Sequence, residues 1–208
     1  MNSIAEEIRT ERPEFIFVGE HPAIDFANTF STPNGVGTEH LRAWTDVIDW
    51  LSLTGLSKNQ ALELPGARSA EALRSVLELR QAWAAELPRL VAGGKASDIF
   101  LERVNGLLAE DFFHEELRRE EGTVYRLVRS GSQLRGEKLA LALLGRQIAA
   151  FLSEANLSYL HRCANTTSCV LYFYDTTKNH RRQWCSTATC GNRHKVAAFR
   201  ERLRAKAC

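Results

Sequence analysis

The chain predicts an α+β protein: a mostly helical N-terminal domain with short strands and a hairpin, followed by a small cysteine-rich C-terminal unit of hairpin and helix. Three observations carry this. Apolar residues recur at helical spacing through most of residues 38–153. Short β-branched and aromatic runs bounded by Gly, Pro and Asn interrupt the pattern. All five cysteines lie in the last 46 residues. A chain of 208 residues, 44 % hydrophobic and 25 % charged, fits one large domain or one medium domain plus a small one and excludes a disordered chain.

Residues 1–13 are charged, poor in apolar groups and end at Pro13, which predicts a flexible start. Phe15-Ile16-Phe17-Val18, closed by Gly19, reads as a buried strand. The stretch from His21 to Phe30 takes no clear assignment, and Ser31 to Gly37 has loop chemistry. Thr38 reads as the N-cap of a helix carrying Leu41, Trp44, Val47, Ile48 and Leu51 as far as Gly55. A longer helix starts near Ser69, with Leu73, Val76, Leu77, Trp83 and Leu87 on one face. Pro88 should kink or shorten it and Gly93-Gly94 should end it. Ser97 and Asp98 open a third helix through Phe100, Leu101, Val104, Leu107 and Leu108. Residues 112–129 read as a hairpin turning at Glu121-Gly122, with Thr123 to Val128 as one strand. From Glu137 to Ser153, Leu139, Leu143, Leu144, Ile148, Phe151 and Leu152 restore the helical period. The three tryptophans Trp44, Trp50 and Trp83 read as core. A boundary near Glu154 to Ser158 divides the chain into domains 1–155 and 156–208.

Charge divides the chain at the same place. Residues 161–208 hold ten Lys or Arg against Asp175 and Glu201, a net of +8, whereas the first 160 residues carry −6. An acidic body with a basic tail suits a polyanionic partner, or a tail that docks on its own acidic domain. No apolar stretch approaches the roughly 18 residues needed to cross a bilayer. The opening Met1-Asn2-Ser3-Ile4-Ala5-Glu6-Glu7 is acidic where a secretory signal is basic and then apolar. The expected location is the cytoplasm, with no membrane partner.

In a reducing compartment clustered cysteines point to metal rather than to a disulfide framework. The pattern is Cys163-x5-Cys169-x15-Cys185-x4-Cys190. Two thiolate pairs separated by a stretch long enough for a hairpin suit one tetrahedral Zn2+ per chain, and four protein sulfurs leave no open position, so the site is structural. Val170 to Tyr174 would form a strand of that hairpin and Asp175 to Asn179 its turn. Cys208, at the last residue, stays outside the site.

Cys163-Ala164-Asn165 through Cys169, then Tyr172-Phe173-Tyr174-Asp175, Lys178-Asn179, Arg181-Arg182, Trp184-Cys185-Ser186 and Cys190-Gly191-Asn192-Arg193 closely resemble the CGNR-type zinc finger over residues 161–204. Phe17-Val18-Gly19 followed by Ile24-Asp25-Phe26-Ala27-Asn28-Thr29 is similar to the opening of the ABATE domain that usually precedes that finger. The resemblance implies a bacterial transcription regulator whose treble-clef-like finger binds double-stranded DNA. One departure is Val196-Ala197-Ala198-Phe199, where the family often has further basic residues.

In the signature, Gly191 would let backbone N–H groups approach the sulfurs and Asn192 would cap the following helix. Arg193 has two candidate partners, a phosphate or Asp175. From Asn192 to Ala207 the chain has no Pro and no Gly after the signature, so a helix is expected, with Val196, Phe199, Leu203 and Ala207 packed on the finger. Arg193, Arg200 and Arg204 then flank one side of that stripe and Lys195, Arg202 and Lys206 the other. With Arg181 and Arg182 these are the candidate DNA contacts. Near the N-terminus His21, Asp25 and Asn28 form a polar set. They either cap and brace the fold or line a pocket for a small-molecule effector. No nucleophile–base–acid set is visible, so no enzymatic activity is expected. The leading function is a DNA-binding transcriptional regulator. The alternative is a finger that docks to protein or RNA without sequence-specific DNA binding. Operator, effector, sign of regulation and oligomeric state stay open.

Overall fold

The computed structural model describes residues 14–57, 60–64, 66–110, 113–120, 122, 124–131 and 133–207. The flexible start expected for 1–13 and the terminal Cys208 fall outside the described residues.

The fold is α+β. Among the described residues the helices are α1 (Pro22–Ala27), α2 (Trp44–Leu53), α3 (Gly66–Val91), α4 (Asp98–Glu110), α5 (Gly136–Glu154) and α6 (Asn192–Ala207). The strands form three separate antiparallel pairs: β1 (Phe30–Ser31) with β2 (Thr38–Glu39), β3 (Phe113–Arg119) with β4 (Tyr125–Gly131), and β5 (Leu160–Arg162) with β6 (Tyr172–Tyr174). The β3–β4 register runs from Phe113 opposite Gly131 to Arg119 opposite Tyr125, the hairpin expected from the sequence.

The core forms around α3. Ala72, Val76, Leu79, Trp83, Leu87 and Leu90 recur every three or four residues and are buried, so one stripe of the helix meets α1, α4 and α5. Trp83 stacks on Phe100 of α4 and meets Phe151 of α5 edge-on, while its indole N–H donates to the Ala23 carbonyl of α1 at 2.8 Å. That bond removes the cost of burying the N–H. Trp44 and Trp50 are equally enclosed. Pro88 neither ends α3 nor prevents three further helical residues. The helix stops at Gly93, whose φ of 80° only glycine adopts freely, with Gly93 N–H donating to Leu90 and Gly94 N–H to Arg89.

Three expectations fail for identifiable reasons, and the unassigned stretch takes a definite form. Phe15 to Val18 pairs in no ladder among the described residues, and Phe17 is exposed. Phe15 packs on the helical core, whereas Ile16 and Val18 pack on the cysteine cluster, so the segment bridges the two units. Thr38 caps nothing: it lies in β2, and α2 starts at Trp44 because the Asp46 carboxylate accepts from the backbone N–H groups of Arg42 and Ala43. His21 to Phe30 contains α1, with Pro22 at its first position and the His21 Nδ1 accepting from Ala23 N–H. In the C-terminal unit β6 pairs with the preceding β5, across the loop holding Cys163 and Cys169, and not with a strand after Asp175. Asp175 does turn the chain, but its carboxylate then binds the Arg182 N–H and holds that segment away from a ladder.

Candidate metal centre and nucleic-acid interface

Two cysteines flank the β5–β6 loop and two flank the turn that starts α6. Cys163 N–H donates to Leu171 and Ala164 N–H to Gln183, which folds the loop back on the second pair. Cys190 sits in a π-turn, Thr187–Gly191, capped by the Ser186 hydroxyl accepting from Thr189 N–H. The four sulfurs lie within 4.8 Å of one another and all four residues are buried. Cys169 Sγ stands 3.7 Å from Cys185 Sγ, which stands 3.6 Å from Cys190 Sγ. A disulfide would bring sulfurs to about 2.05 Å. A tetrahedral ion with Zn–S bonds of about 2.3 Å separates them by about 3.8 Å. Spacing and soft, all-sulfur chemistry therefore both fit zinc. Four buried thiols this close cannot all ionise without a cation. The neighbouring thiols of Cys169 and Cys185 hydrogen-bond the Cys163 thiolate and hold its pKa down, while their own pKa values are pushed up. A divalent ion reverses that balance.

The signature residues act differently from the sequence expectation. Gly191 N–H donates to the Ser186 carbonyl and not to a sulfur. Asn192 is helical, with its amide donating to Ala188, so Ser186 is the capping residue. Asp175 is fully buried and does not wait for Arg193: it accepts from Thr177 N–H, the Thr177 hydroxyl and Arg182 N–H. Burial alone would raise its pKa, yet these bonds hold it below the usual carboxylate range.

Arg182 is withdrawn from any external contact. Its guanidinium donates to the carbonyls of Val18, Trp184 and Cys185, pairs with Glu20 at 3.0 Å and lies 4.5 Å from the Phe173 ring centre. It fastens the N-terminal segment to the cysteine cluster. That corrects its place among the DNA contacts. Nothing in the sequence separates Arg182 from the neighbouring Arg181, which is exposed.

The apolar stripe of α6 also departs from expectation. Val196, Phe199 and Leu203 are 47 %, 56 % and 52 % exposed, so the helix projects from the finger instead of packing on it. Arg193, Lys195, Arg200, Arg202 and Arg204 are exposed around it, and Lys206 lies on the same helix with its side chain outside the described residues.

Asn28 lines a cavity of about 550 Å³ together with Arg80 and Tyr172, which His21 and Asp25 do not line, so the three share no single cavity among the described residues. Each is bound to backbone: His21 caps α1, Asp25 accepts from Gly19 N–H at 2.7 Å, and the Asn28 amide exchanges two bonds with the Tyr172 peptide of β6. They brace the fold, and Asn28 docks the finger on the helical domain. Gly19 is required here, since a Cβ would stand 2.8 Å from the Asp25 carboxylate.

Burial raises the Asp25 pKa from 3.8 to about 6, against the opposing effect of its backbone bonds. For an acid with a raised pKa the contribution to stability is complete below the unfolded value and is lost as pH rises through the folded one. Ionised Asp25 therefore opposes folding at neutral pH. Asp25→Asn should stabilise the protein by about 1–2 kcal/mol at pH 7.5, with the gain vanishing near pH 4. Denaturant midpoints at the two pH values measure this, and an equal gain at both would reject burial as the cause.

Among the described residues no helix is long and apolar enough to cross a membrane. A family model described as ABATE, putative stress-induced transcription regulator, matches residues 20–155. A second, described as CGNR zinc finger, matches residues 159–203. No curated protein matches the chain.

Proposed function

The chain belongs to the ABATE family and ends in a CGNR zinc finger, and on that premise we propose that it is a cytoplasmic DNA-binding transcription regulator holding one structural zinc ion per chain through Cys163, Cys169, Cys185 and Cys190. On this reading it is not an enzyme. The observation that carries the proposal is α6. A helix of 16 residues leaves the metal site with its cations exposed on both flanks and one acid, Glu201, among them. At about 1.5 Å per residue it is about 24 Å long, and an α-helix fits the major groove. The two basic rows would meet phosphates of the two strands, with Arg181 supporting from the finger.

Binding of zinc-loaded protein to duplex DNA across a salt series tests this. Arg200→Ala with Arg204→Ala should weaken binding and lower the salt slope by up to about two units, roughly one per lost phosphate contact. Unchanged affinity and slope, with zinc retained, would reject α6 as the contact surface. The exposed Val196, Phe199 and Leu203 favour a second reading, in which α6 docks to a protein. Phe199→Ser that abolishes a protein interaction while duplex binding stays intact would support it.

A further inference from the structure

The β3–β4 hairpin stands apart from both cores. Among the described residues neither strand contributes to the helical core or to the cysteine cluster, and the sheet consists of these two strands. An isolated hairpin is marginally stable in water. A surface that covers one of its faces would supply what the rest of the chain does not.

The register fixes what each face carries. Glu115, Leu117 and Arg119 alternate along β3 on one face, opposite Arg129, Leu127 and Tyr125 of β4. The other face carries Glu116, Arg118, Arg126 and, just beyond β3, Glu120. It uses its charges within the hairpin: Arg118 pairs with Glu116 at 2.8 Å and Arg126 with Glu120 at 2.6 Å. The leucine face is left open. Leu117, Leu127 and Tyr125 are 68 %, 60 % and 56 % exposed and form one apolar strip across both strands. The Arg119 guanidinium lies 5.7 Å from the Tyr125 ring centre, and Glu115 is exposed. Neither Glu115 nor Arg119 makes an ion pair among the described residues. Four residues apart on one strand, they stand about 13 Å from each other, too far to pair.

The order acid, leucine, base along β3 is self-complementary. Consider a twofold axis between two such faces, running across the strands over the Leu117–Leu127 pair. It stacks β3 on the β3 of a second copy with the direction reversed. Position 115 of each copy then lies over position 119 of the other, and the leucine pairs enclose one another. We propose that the chain forms a dimer through this face of the hairpin. Leu117, Leu127 and Tyr125 are buried in it, and two symmetric Glu115–Arg119 pairs close its ends. A face of two seven-residue strands measures about 23 Å by about 10 Å. That is the small end of specific interfaces, so the dimer is weak, with Kd about 10–500 µM.

Sedimentation equilibrium of full-length zinc-loaded protein, from about 5 µM to about 1 mM, reads the association. No DNA is present, so the outcome does not depend on the function proposed above. The mean mass should rise toward twice that of the monomer. Leu117→Thr with Leu127→Thr keeps good strand formers and removes the apolar contact. That variant should stay monomeric throughout, with zinc content and the melting temperature of the dilute protein unchanged. Glu115→Arg sets base against base and Arg119→Glu acid against acid, so each alone should weaken association about tenfold or more. An equimolar mixture of those two variants should restore it, because each offers the charge the other lacks. Mere damage to the hairpin would not give that restoration. A monomer at every concentration, a dimer indifferent to the leucine substitutions, or a mixture as weak as its components would overturn the proposal.

Discussion

Cys185→Ser is expected to reduce bound zinc from about one per chain to near zero and to unfold the C-terminal unit. Cys185 is the sulfur that stands at 3.7 and 3.6 Å from two of the others, so its loss opens the tetrahedron at its centre of contacts. The unit has little else to hold it. Its own buried set, besides the four cysteines, is Leu171 and Phe173. Structural zinc contributes about 10–16 kcal/mol in comparable small modules, far above what two apolar side chains supply. Metal analysis of reduced protein together with hydrogen exchange reads the effect: protection should vanish over residues 161–191 and persist in α3 and α5. Cys208→Ser should keep the metal. Full zinc retention in the Cys185 variant would reject the four-cysteine assignment.

Arg182→Ala should destabilise the protein by about 3–4 kcal/mol, because three partly buried carbonyls lose a charged donor together. In a chain of this size that corresponds to a fall of about 6–16 °C in melting temperature. Arg181→Ala, one residue away, should leave the melting temperature unchanged and, on the DNA-binding function proposed above, lower the salt slope of duplex binding by about one. The pair is diagnostic: a normal melting temperature in the Arg182 variant, with a reduced salt slope, would return that residue to the proposed DNA contacts.

Much of the helical domain was legible because its signal is local. The periodicity of Val76, Trp83 and Leu87, the Gly93-Gly94 stop and the Ser97-Asp98 start each operate within one or two turns, and α3, α4 and α5 appear where that spacing places them. The strand reading of Phe15 to Val18 failed because an apolar run reports burial but not its partner. Here Phe15 packs on the helical core, Ile16 and Val18 on the cysteine cluster, and Phe17 faces solvent. The Thr38 cap failed because Asp46, eight residues further on, binds the chain first.

The sequence by itself determined the two-part organisation, the fourfold cysteine set and the location of the basic helix, since spacing and composition are properties of the chain alone. Only the tertiary structure decided which residues of that chemistry face outward. Arg181 and Arg182 are identical in sequence terms, yet one is exposed while the other enters a cage of carbonyls supplied by Val18, some 160 positions away, and by Trp184 and Cys185. Asn28 likewise finds its partner in the Tyr172 peptide, 144 residues distant. The stripe of α6 was visible as a period, but whether it is covered depends on what stands opposite it, and among the described residues nothing does. Hydrogen bonding and burial are set by neighbours in space, and those neighbours come from segments far apart along the chain.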